Sequence, residues 1–139
     1  MTTKAYLRQI ETIERKIERI EDNLRTIRAE MGGMKSPSYD TDHVQITASS
    51  DKMLDLIIKY EGLEQRLISE RNKLIATRER IRSEIEQLDN DQYREVLYWI
   101  YISHLSWDDT ADRMHYTRRW VEVLHGRALQ EFERLHGNS

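Results

Sequence analysis

Four aspartates stand in two close pairs in the C-terminal part of the chain, where they could serve metal-dependent chemistry. The pairs are Asp89 with Asp91 and Asp108 with Asp109. Carboxylates of this kind hold divalent metal ions in nucleases. Both pairs, however, stand where a helix is predicted to begin, and carboxylates in a first helical turn interact favourably with the helix dipole. No further histidine or carboxylate completes a metal-ligand spacing. We therefore expect helix starts and no catalytic centre, so the chain is predicted not to be an enzyme.

A second possible metal site combines His43 with Asp40 and Asp42. These residues fall in the stretch 34–49, MKSPSYDTDHVQITAS, where Pro37 favours extended or turn backbone at the residue before it. Three ligands on a flexible backbone make a poor metal site, so a solvated loop is the better interpretation. The chain has no cysteine, which excludes disulfides, thiolate metal sites and a cysteine nucleophile. No cofactor is predicted.

Residues 107–126, WDDTADRMHYTRRWVEVLHG, have the spacing of two short helices joined by a tight turn that Tyr116 fills. Ser106 and Thr117 are the predicted N-caps, because a hydroxyl can accept from free backbone N–H groups one turn in. The small Ala111 lets the helices approach closely. The residues predicted to face inward are Thr110, Ala111, Met114, Val121 and Leu124. This is the arrangement of a helix-turn-helix, whose second helix enters the DNA major groove with its N-terminal residues at the base edges.

His115 occupies the turn position that is usually glycine in this motif. That position tends to need a positive φ, which glycine adopts freely and histidine tolerates better than most residues. A left-handed residue is therefore expected at His115. The alternative interpretation of the segment is an ordinary pair of helices in an all-α domain.

The N-terminal part of the chain is predicted to form a long antiparallel helical hairpin. The first helix, capped by Thr2 or Thr3, carries apolar residues at alternating steps of three and four, as a heptad seam requires: Tyr6, Ile10, Ile13, Ile17, Ile20, Leu24, Ile27 and Met31. The glycine pair 32–33 ends it. The second helix is predicted from Ser49 to about Leu88 with a less strict seam. Its apolar positions are Met53, Leu54, Ile57, Ile58, Tyr60, Leu63, Leu67, Ile68, Leu74, Ile75, Ile81, Ile85 and Leu88.

Three arginines of the second helix allow two interpretations. Arg71 and Arg78 fall where heptad core residues would be, and with Arg82 they would lie along one side of the helix. That side could contact DNA phosphates. The alternative, which we favour, is a solvated face whose arginines pair with neighbouring glutamates.

Two helices flank and complete the helix-turn-helix. A third helix ending near Ser103 follows the polar break at residues 89–91, with its inner stripe at Tyr93, Val96, Leu97 and Ile100. The last helix runs from Arg118 to about His136, with its inner stripe at Val121, Leu124, Ala128, Phe132 and Leu135. Gly126 within it costs about 1 kcal/mol relative to alanine, which we attribute to close passage of the third helix. The tryptophans are expected in the core or at its rim, because the basic groove needed for base stacking is absent: Trp99, Trp107 and Trp120.

Composition and charge limit the possible functions. One third of the residues are charged and there is a single proline, which suits long exposed helices. No apolar run reaches transmembrane length and the N-terminus lacks the apolar segment of a signal peptide, so a cytoplasmic location is predicted. The net charge is −3. Residues 89–139 alone hold six arginines against nine acidic residues.

That acidic balance is unusual for DNA binding. A protein that binds duplex DNA by itself usually shows a basic face. This chain would have to rely on a few well-placed arginines, on oligomerisation, or on a partner that brings it to DNA.

The C-terminal half, Leu88 through Phe132, resembles the fourth conserved region of sigma factors, which recognises the −35 promoter element. The matching stretches are YREVL at 93–97, WDDTA at 107–111 and LHGRAL at 124–129. The whole chain resembles the ArpU/RinA-type late-gene transcriptional regulators of Gram-positive phages and prophages. YLRQI at 6–10, Ser36-Pro37 and Val44-Gln45 resemble further landmarks of that family.

The resemblance implies DNA binding at a phage promoter and activation of late genes, acting with RNA polymerase. Carried over by position, the residues at the outward, N-terminal part of the recognition helix are Thr117, Arg118, Arg119, Glu122 and Val123. Arg118 and Arg119 would contact guanine or phosphate, because arginine reads guanine bidentately in the major groove. Arg127 would contact phosphate.

The sequence therefore predicts an all-α protein with a helical hairpin at 1–88, including a loop at 32–49, and a helix-turn-helix domain at 89–139. It is expected to be a sequence-specific transcriptional regulator that binds double-stranded DNA as a homodimer, since a hairpin this long leaves apolar surface uncovered. Two alternatives stay open. One is a DNA-packaging protein like the small subunit of phage terminase, which normally forms rings. The other is an RNA polymerase-binding module with little DNA affinity of its own, which the acidic C-terminal half favours.

Overall fold

A computed structural model describes residues 1–33 and 43–137, with side chains described for 1–33 and 50–137. The α-helices are α1 (Thr3–Leu7), α2 (Gln9–Gly32), α3 (His43–Glu86), α4 (Asp91–Leu97), α5 (Trp107–Met114) and α6 (Arg118–His136), and a π-helical turn, Tyr98–Ile102, continues α4. No strand occurs in this part of the chain, and the predicted all-α class is confirmed. Among these residues, no helix is both long enough and apolar enough to cross a lipid bilayer.

α3 is longer than the sequence predicted. It begins at His43, whereas a loop was expected over 32–49 and a helix from Ser49. Neither glycine nor proline stands between His43 and Ser49, and the β-branched residues there lower helix propensity only slightly, so the helix can extend through them. Residues 34–42 lie outside the described residues, and the side chain of His43 is not described. The expected solvated loop with Asp40 and Asp42 therefore stays a prediction.

The first predicted helix is divided into α1 and α2 by the single residue Arg8. The side chain of Thr2 accepts a hydrogen bond of 3.1 Å from the backbone N–H of Ala5, which confirms an N-cap at this end. Arg8 has φ −76° and ψ −3°, and its N–H still bonds to the Lys4 carbonyl at 3.0 Å. The break is therefore slight, because the hydrogen-bond ladder continues across it.

The chain forms two compact units, of which the first comprises residues 14–72, within α2 and α3. Side chains of α2 meet those of α3 in opposite chain order, as in antiparallel helices. Lys16 Nζ lies 3.0 Å from Glu70 Oε1, Arg71 lies 3.2 Å from Glu21, and Arg28 donates to the hydroxyl of Tyr60 at 2.6 Å. The buried apolar residues of this unit are Ile17, Ile20, Leu24, Leu56 and Leu67.

The seam of α3 in this unit differs from the one read in the sequence. It follows alternating steps of four and three from Leu56, a residue missing from the predicted apolar set, through Tyr60, Leu63 and Leu67 to Glu70. Arg71 does not stand at a core position, since Glu70 does. Leu54, Ile57, Ile58 and Ile68 are exposed. Two apolar rows lie on this helix, and only burial shows which of them is the seam.

The second unit comprises residues 1–13 and 73–139. Its core takes side chains from the N-terminal helices, the end of α3 and the C-terminal helices: Leu7, Ile10, Ile81, Ile85, Leu88, Val96, Leu97, Tyr101, Ala111, Met114, Val121, Leu124, Ala128 and Phe132. α1 packs on α6, where Tyr6 contacts Phe132 with ring centroids 5.9 Å apart. The core around α4–α6 therefore extends beyond the predicted domain 89–139.

Candidate nucleic-acid interface

Both helices of the segment 107–126 begin at the predicted capping residues. Ser106 Oγ accepts from the N–H of Asp109 at 3.1 Å, and its carbonyl accepts from the hydroxyl of Thr110 at 2.8 Å. Thr117 Oγ1 accepts from the N–H of Trp120 at 3.2 Å. Each hydroxyl satisfies a backbone donor that has no partner within its helix. Both predicted N-caps are confirmed.

The turn between α5 and α6 is closed by a left-handed residue, as the sequence predicted. His115 has φ 61° and ψ 40°. Its N–H lies 3.3 Å from the Asp112 carbonyl, and the N–H of Tyr116 bonds to the Ala111 carbonyl at 3.0 Å. This is the Schellman type of helix end, in which the left-handed position is most often glycine.

Tyr116 does not fill the turn, and that expectation was wrong. Its ring is exposed, and its hydroxyl accepts a hydrogen bond of 2.7 Å from Nε2 of Gln92. The residues that fill the space between α5 and α6 are the five predicted inner residues, all of them buried: Thr110, Ala111, Met114, Val121 and Leu124. The turn needs no additional side chain beneath it.

The face of α6 opposite its buried stripe carries five of the six predicted DNA-binding residues, and the sixth, Thr117, is the N-cap of this helix. We call this face, with Thr117 and Trp120, the outward surface of α6. Its members are exposed: Thr117, Arg118, Arg119, Trp120, Glu122, Val123 and Arg127. The surface combines groups that can donate to guanine and phosphate with a carboxylate that can accept from cytosine. The chain thus brings the predicted residues together at the N-cap and on the first three turns of one helix.

The two adjacent arginines of this surface differ in their partners. Arg118 Nε lies 3.3 Å from Glu122 Oε1, and its Nη1 lies 3.6 Å from Asp108 Oδ2 at the start of α5. In the described part of the chain, Arg119 forms neither an ion pair nor a side-chain hydrogen bond. A phosphate or a guanine would therefore compete with two carboxylates for Arg118, whereas Arg119 presents its full charge.

Trp120 is a member of the outward surface that the sequence analysis assigned to the core or its rim. Its ring is exposed, and the guanidinium carbon of Arg127 lies 5.4 Å from the ring centroid, within cation–π distance. Trp99 and Trp107 are half-buried, as expected of rim residues.

The step of about 100° per residue along a helix explains the exposure of Trp120. Trp120 directly precedes the buried Val121, and Leu124 and Ala128 follow on the same inner stripe. One step back from that stripe places Trp120 on the flank of α6 and not under it. The aromatic type of the residue suggested burial, whereas its position in the helix indicates exposure.

Gly126 does not mark a close approach between helices, so that explanation was wrong. It is exposed, and a Cβ built at this position would meet nothing within 4 Å. The glycine lies on the side of α6 away from the core. Packing within the described chain gives no reason for it.

A buried polar pair lies beneath the outward surface and was not found from the sequence. His125 Nε2 lies 2.6 Å from the hydroxyl of Tyr101, and the ring of His125 meets the edge of Trp107 with centroids 4.8 Å apart. Burial and the positive charges of Lys4 and Arg8 lower the pKa of His125 to about 4. Burial raises the pKa of Tyr101 to about 12. Both groups are therefore neutral near pH 7, and the phenol can donate to the imidazole.

The helical position of His125 does indicate that its side chain is buried. It stands four residues after Val121, which places it beside the inner stripe of α6. A histidine at such a position is buried only with a hydrogen-bond partner. The partner, Tyr101, is 24 residues away, and local sequence patterns do not indicate it.

The paired aspartates serve helix ends and ion pairs. Asp91 Oδ1 accepts from Arg94 at 3.0 Å, and Arg94 also donates to the backbone carbonyls of Leu88 and Asp89 at the end of the preceding segment. Asp108 contacts Arg118 as described above. Within the described residues, no group of three histidine, aspartate or glutamate side chains is placed to hold a metal ion.

Arg71 and Arg82 of α3 both pair with acidic side chains. Arg71 contacts Glu21 at 3.2 Å, and Arg82 contacts Glu79 at 3.8 Å on the preceding turn of its own helix. The pair of Arg82 with Glu79 is of the kind expected for a solvated face, whereas the partner of Arg71 lies on α2 and not on α3 itself.

The comparison with protein families gives one match, to the model described as "Protein of unknown function (DUF1492)", over residues 33–133. No curated protein and no solved structure was found to match the chain. The matched region runs through α3 to most of α6, and so it includes the outward surface and the turn at His115. Since the match covers well over half of the sequence, the chain belongs to the DUF1492 family.

Proposed function

We propose that the protein is a sequence-specific DNA-binding transcriptional regulator whose outward surface of α6 enters the major groove. One observation carries this proposal. All six residues expected at the DNA are exposed, five of them on the face of α6 opposite the stripe that packs against α5 and Thr117 at the N-cap of this helix. Exposed polar groups on the first turns of the second helix are what a helix-turn-helix uses to reach base edges.

Local charge also supports this proposal. The six residues hold three arginines and a single glutamate, although residues 89–139 as a whole are acidic. Three cations within three turns of one helix can contact phosphates or guanines without making the whole protein basic. A weakly charged body with a small basic surface also predicts modest non-specific affinity, because that affinity grows with the number of phosphates neutralised.

The biological setting is proposed from the resemblance to the ArpU/RinA-type regulators. In this proposal the protein acts in the cytoplasm, at a phage or prophage promoter, and activates late genes together with RNA polymerase. No catalytic step is assigned to it.

A homodimer is the proposed DNA-binding form. The unit of residues 14–72 exposes four large apolar side chains on one helix, which a second copy could cover: Leu54, Ile57, Ile58 and Ile68. A symmetric dimer would read two half-sites whose spacing follows its two-fold axis. The mass in solution, measured by light scattering, tests this form. A ring of eight or more copies would instead favour a packaging protein like the small subunit of phage terminase.

DNA binding is tested by selection from a pool of random duplexes, followed by fluorescence anisotropy on the enriched duplex over a series of salt concentrations. We expect tight binding that weakens with salt and is lost in the double variant Arg118→Ala/Arg119→Ala. Arg134→Ala is the matched control, because Arg134 lies at the far end of α6 and pairs with Glu131. If no duplex is enriched by the wild-type protein, the proposal is wrong.

A second candidate is an RNA polymerase-binding module with little DNA affinity. The observation that favours it is the engagement of Arg118 by two carboxylates within an acidic C-terminal half. Retention of RNA polymerase on the immobilised protein, without enrichment of any duplex, would support this candidate over the first.

A further inference from the structure

Two apolar side chains stand exposed among the charged groups of the outward surface. Trp120 is 37% exposed and Val123 is 36% exposed. They are three residues apart, so they are neighbours on one side of α6. An apolar pair in the middle of a surface otherwise made of arginine, glutamate and threonine needs an explanation that hydrogen bonding to bases does not give.

Trp120 is restrained both at its backbone and at its ring. Its backbone N–H is bound by Thr117 Oγ1, which fixes the residue in the first turn of α6. The guanidinium of Arg127 lies over the ring at 5.4 Å and restrains its orientation. A side chain that is already ordered loses less conformational entropy when a ligand binds. Trp120 is therefore presented as a fixed apolar surface.

We propose that Trp120 and Val123 contact the C5 methyl groups of thymines in the major groove. This inference rests on the proposed function, and it identifies the chemical group of DNA that the apolar part of the outward surface recognises. The thymine methyl is the apolar group that base pairs display in the major groove, so it is the chemical partner of an apolar pair there. Residues in the first two turns of the second helix are the ones that reach base edges.

The neighbouring charges favour DNA as the binding partner of Trp120 and Val123. Arg119 precedes Trp120, and Arg127 lies over its ring, so a cation stands on each side of the apolar pair. Phosphates follow both edges of the major groove, and cations flanking a base-reading group can position it against them. An apolar protein partner would have to leave these two cations without a counter-charge.

The test compares the selected duplex with the same duplex in which each thymine in turn is replaced by uracil. Uracil lacks only the C5 methyl group and keeps the base-pairing hydrogen bonds. We expect one or more positions at which uracil raises the Kd of the wild-type protein about fourfold, the factor that corresponds to burial of one methyl group. Trp120→Ala and Val123→Ala are then expected to bind the thymine and uracil duplexes with equal affinity. Trp120→Leu keeps an apolar side chain and is expected to retain part of the difference.

Each outcome decides the inference separately from the proposed function. If the wild-type protein binds the selected duplex but no uracil substitution changes the Kd, the inference is overturned and DNA binding stands. The same holds if Trp120→Ala and Val123→Ala, shown by circular dichroism to be folded, keep the full difference between thymine and uracil. If no duplex is enriched at all, both proposals fail, and an apolar contact with RNA polymerase becomes the explanation of this pair.

Discussion

The hydroxyl of Tyr101 lies 2.6 Å from Nε2 of His125, and this contact joins the π-helical turn to α6 inside the core. The π-helical turn carries five residues, and such turns are rare insertions in an otherwise α-helical segment. The contact places a neutral imidazole directly behind the outward surface of α6. The contact therefore ties α6, the helix that carries the outward surface, to the π-helical turn.

The first prediction is that the protein loses stability between pH 7.5 and pH 5. Burial and the charges of Lys4 and Arg8 lower the pKa of His125 to about 4 in the folded protein, from the usual 6.5 of histidine. A depressed histidine pKa means that the unfolded chain takes up the proton first, so stability is full above pH 6.5 and falls as the pH decreases toward 4. We expect a loss of about 2 kcal/mol in the free energy of unfolding at pH 5. Urea unfolding at the two pH values measures it.

His125→Gln is the control for this prediction. Glutamine keeps a hydrogen-bond acceptor for Tyr101 but does not titrate, so the variant should be less stable at pH 7.5 and less sensitive to pH. An equal loss of stability in the variant and the wild type would show that other groups cause the pH dependence.

The second prediction concerns the ion pair between Arg118 and Asp108, which are 3.6 Å apart. Asp108→Asn removes one of the two carboxylates that hold Arg118 and reduces the negative charge near the DNA. We expect affinity for the selected duplex to rise about threefold or more. An exposed charge interaction contributes up to about 1 kcal/mol, and removing the Asp108 carboxylate removes its repulsion of a nearby phosphate. Fluorescence anisotropy at fixed salt concentration measures the change.

Asp112→Asn is the matched variant, because Asp112 lies on the same helix and loses the same charge without touching Arg118. It should change affinity less than Asp108→Asn does. Equal gains in both variants would mean that net charge, and not release of Arg118, controls binding.

The third prediction is that His115→Gly stabilises the protein. His115 has φ 61°, and a left-handed backbone costs a residue with a Cβ about 1 kcal/mol relative to glycine. Glycine also makes the unfolded chain more flexible, which offsets part of this gain. We expect a rise of about 0.5 kcal/mol in the free energy of unfolding, seen as a higher midpoint in thermal unfolding.

The opposite substitution checks the cause. His115→Val places a β-branched residue at the same left-handed position, and it should lower stability by more than 1 kcal/mol, on the order expected for a strained residue. If valine and histidine give the same midpoint, the turn relaxes and the φ of His115 carries no strain.

The features of the candidate site that could be predicted are those with a local cause. The caps at Ser106 and Thr117 follow from a hydroxyl one turn before free N–H groups. The left-handed His115 follows from the position of the turn between two helices. Each of these signals is contained within a few residues of sequence.

The features that could not be predicted depend on distant parts of the chain. Tyr6 donates to Glu84 at 2.5 Å across 78 residues, and nothing in the N-terminal heptad pattern shows that this end of the chain joins the C-terminal core. On α3, two apolar rows compete, and the choice between Leu56 and Leu54 depends on which face α2 covers. Periodicity identifies a helix with apolar faces, but burial selects among them.

The fourth prediction concerns Glu70, which interrupts the apolar seam of α3. Its side chain is 13% exposed, and its Oε2 is buried without a hydrogen-bond partner, whereas Oε1 contacts Lys16, whose side chain is 42% exposed. Lys16→Met would leave a nearly buried carboxylate unpaired and should lower the free energy of unfolding by about 1–3 kcal/mol. Glu70→Leu removes the buried carboxylate and leaves Lys16 in contact with water, so it should leave stability unchanged or raise it.

The next ion pair along the same two helices provides the comparison. Arg71 and Glu21 are exposed to 57% and 37%, and an exposed pair contributes less than about 1 kcal/mol, so Arg71→Met should have little effect on urea unfolding. The asymmetry between Lys16→Met and Glu70→Leu is the decisive observation. If both variants are destabilised equally, the pair stabilises the hairpin as a unit, and the unpaired oxygen of Glu70 has no energetic cost.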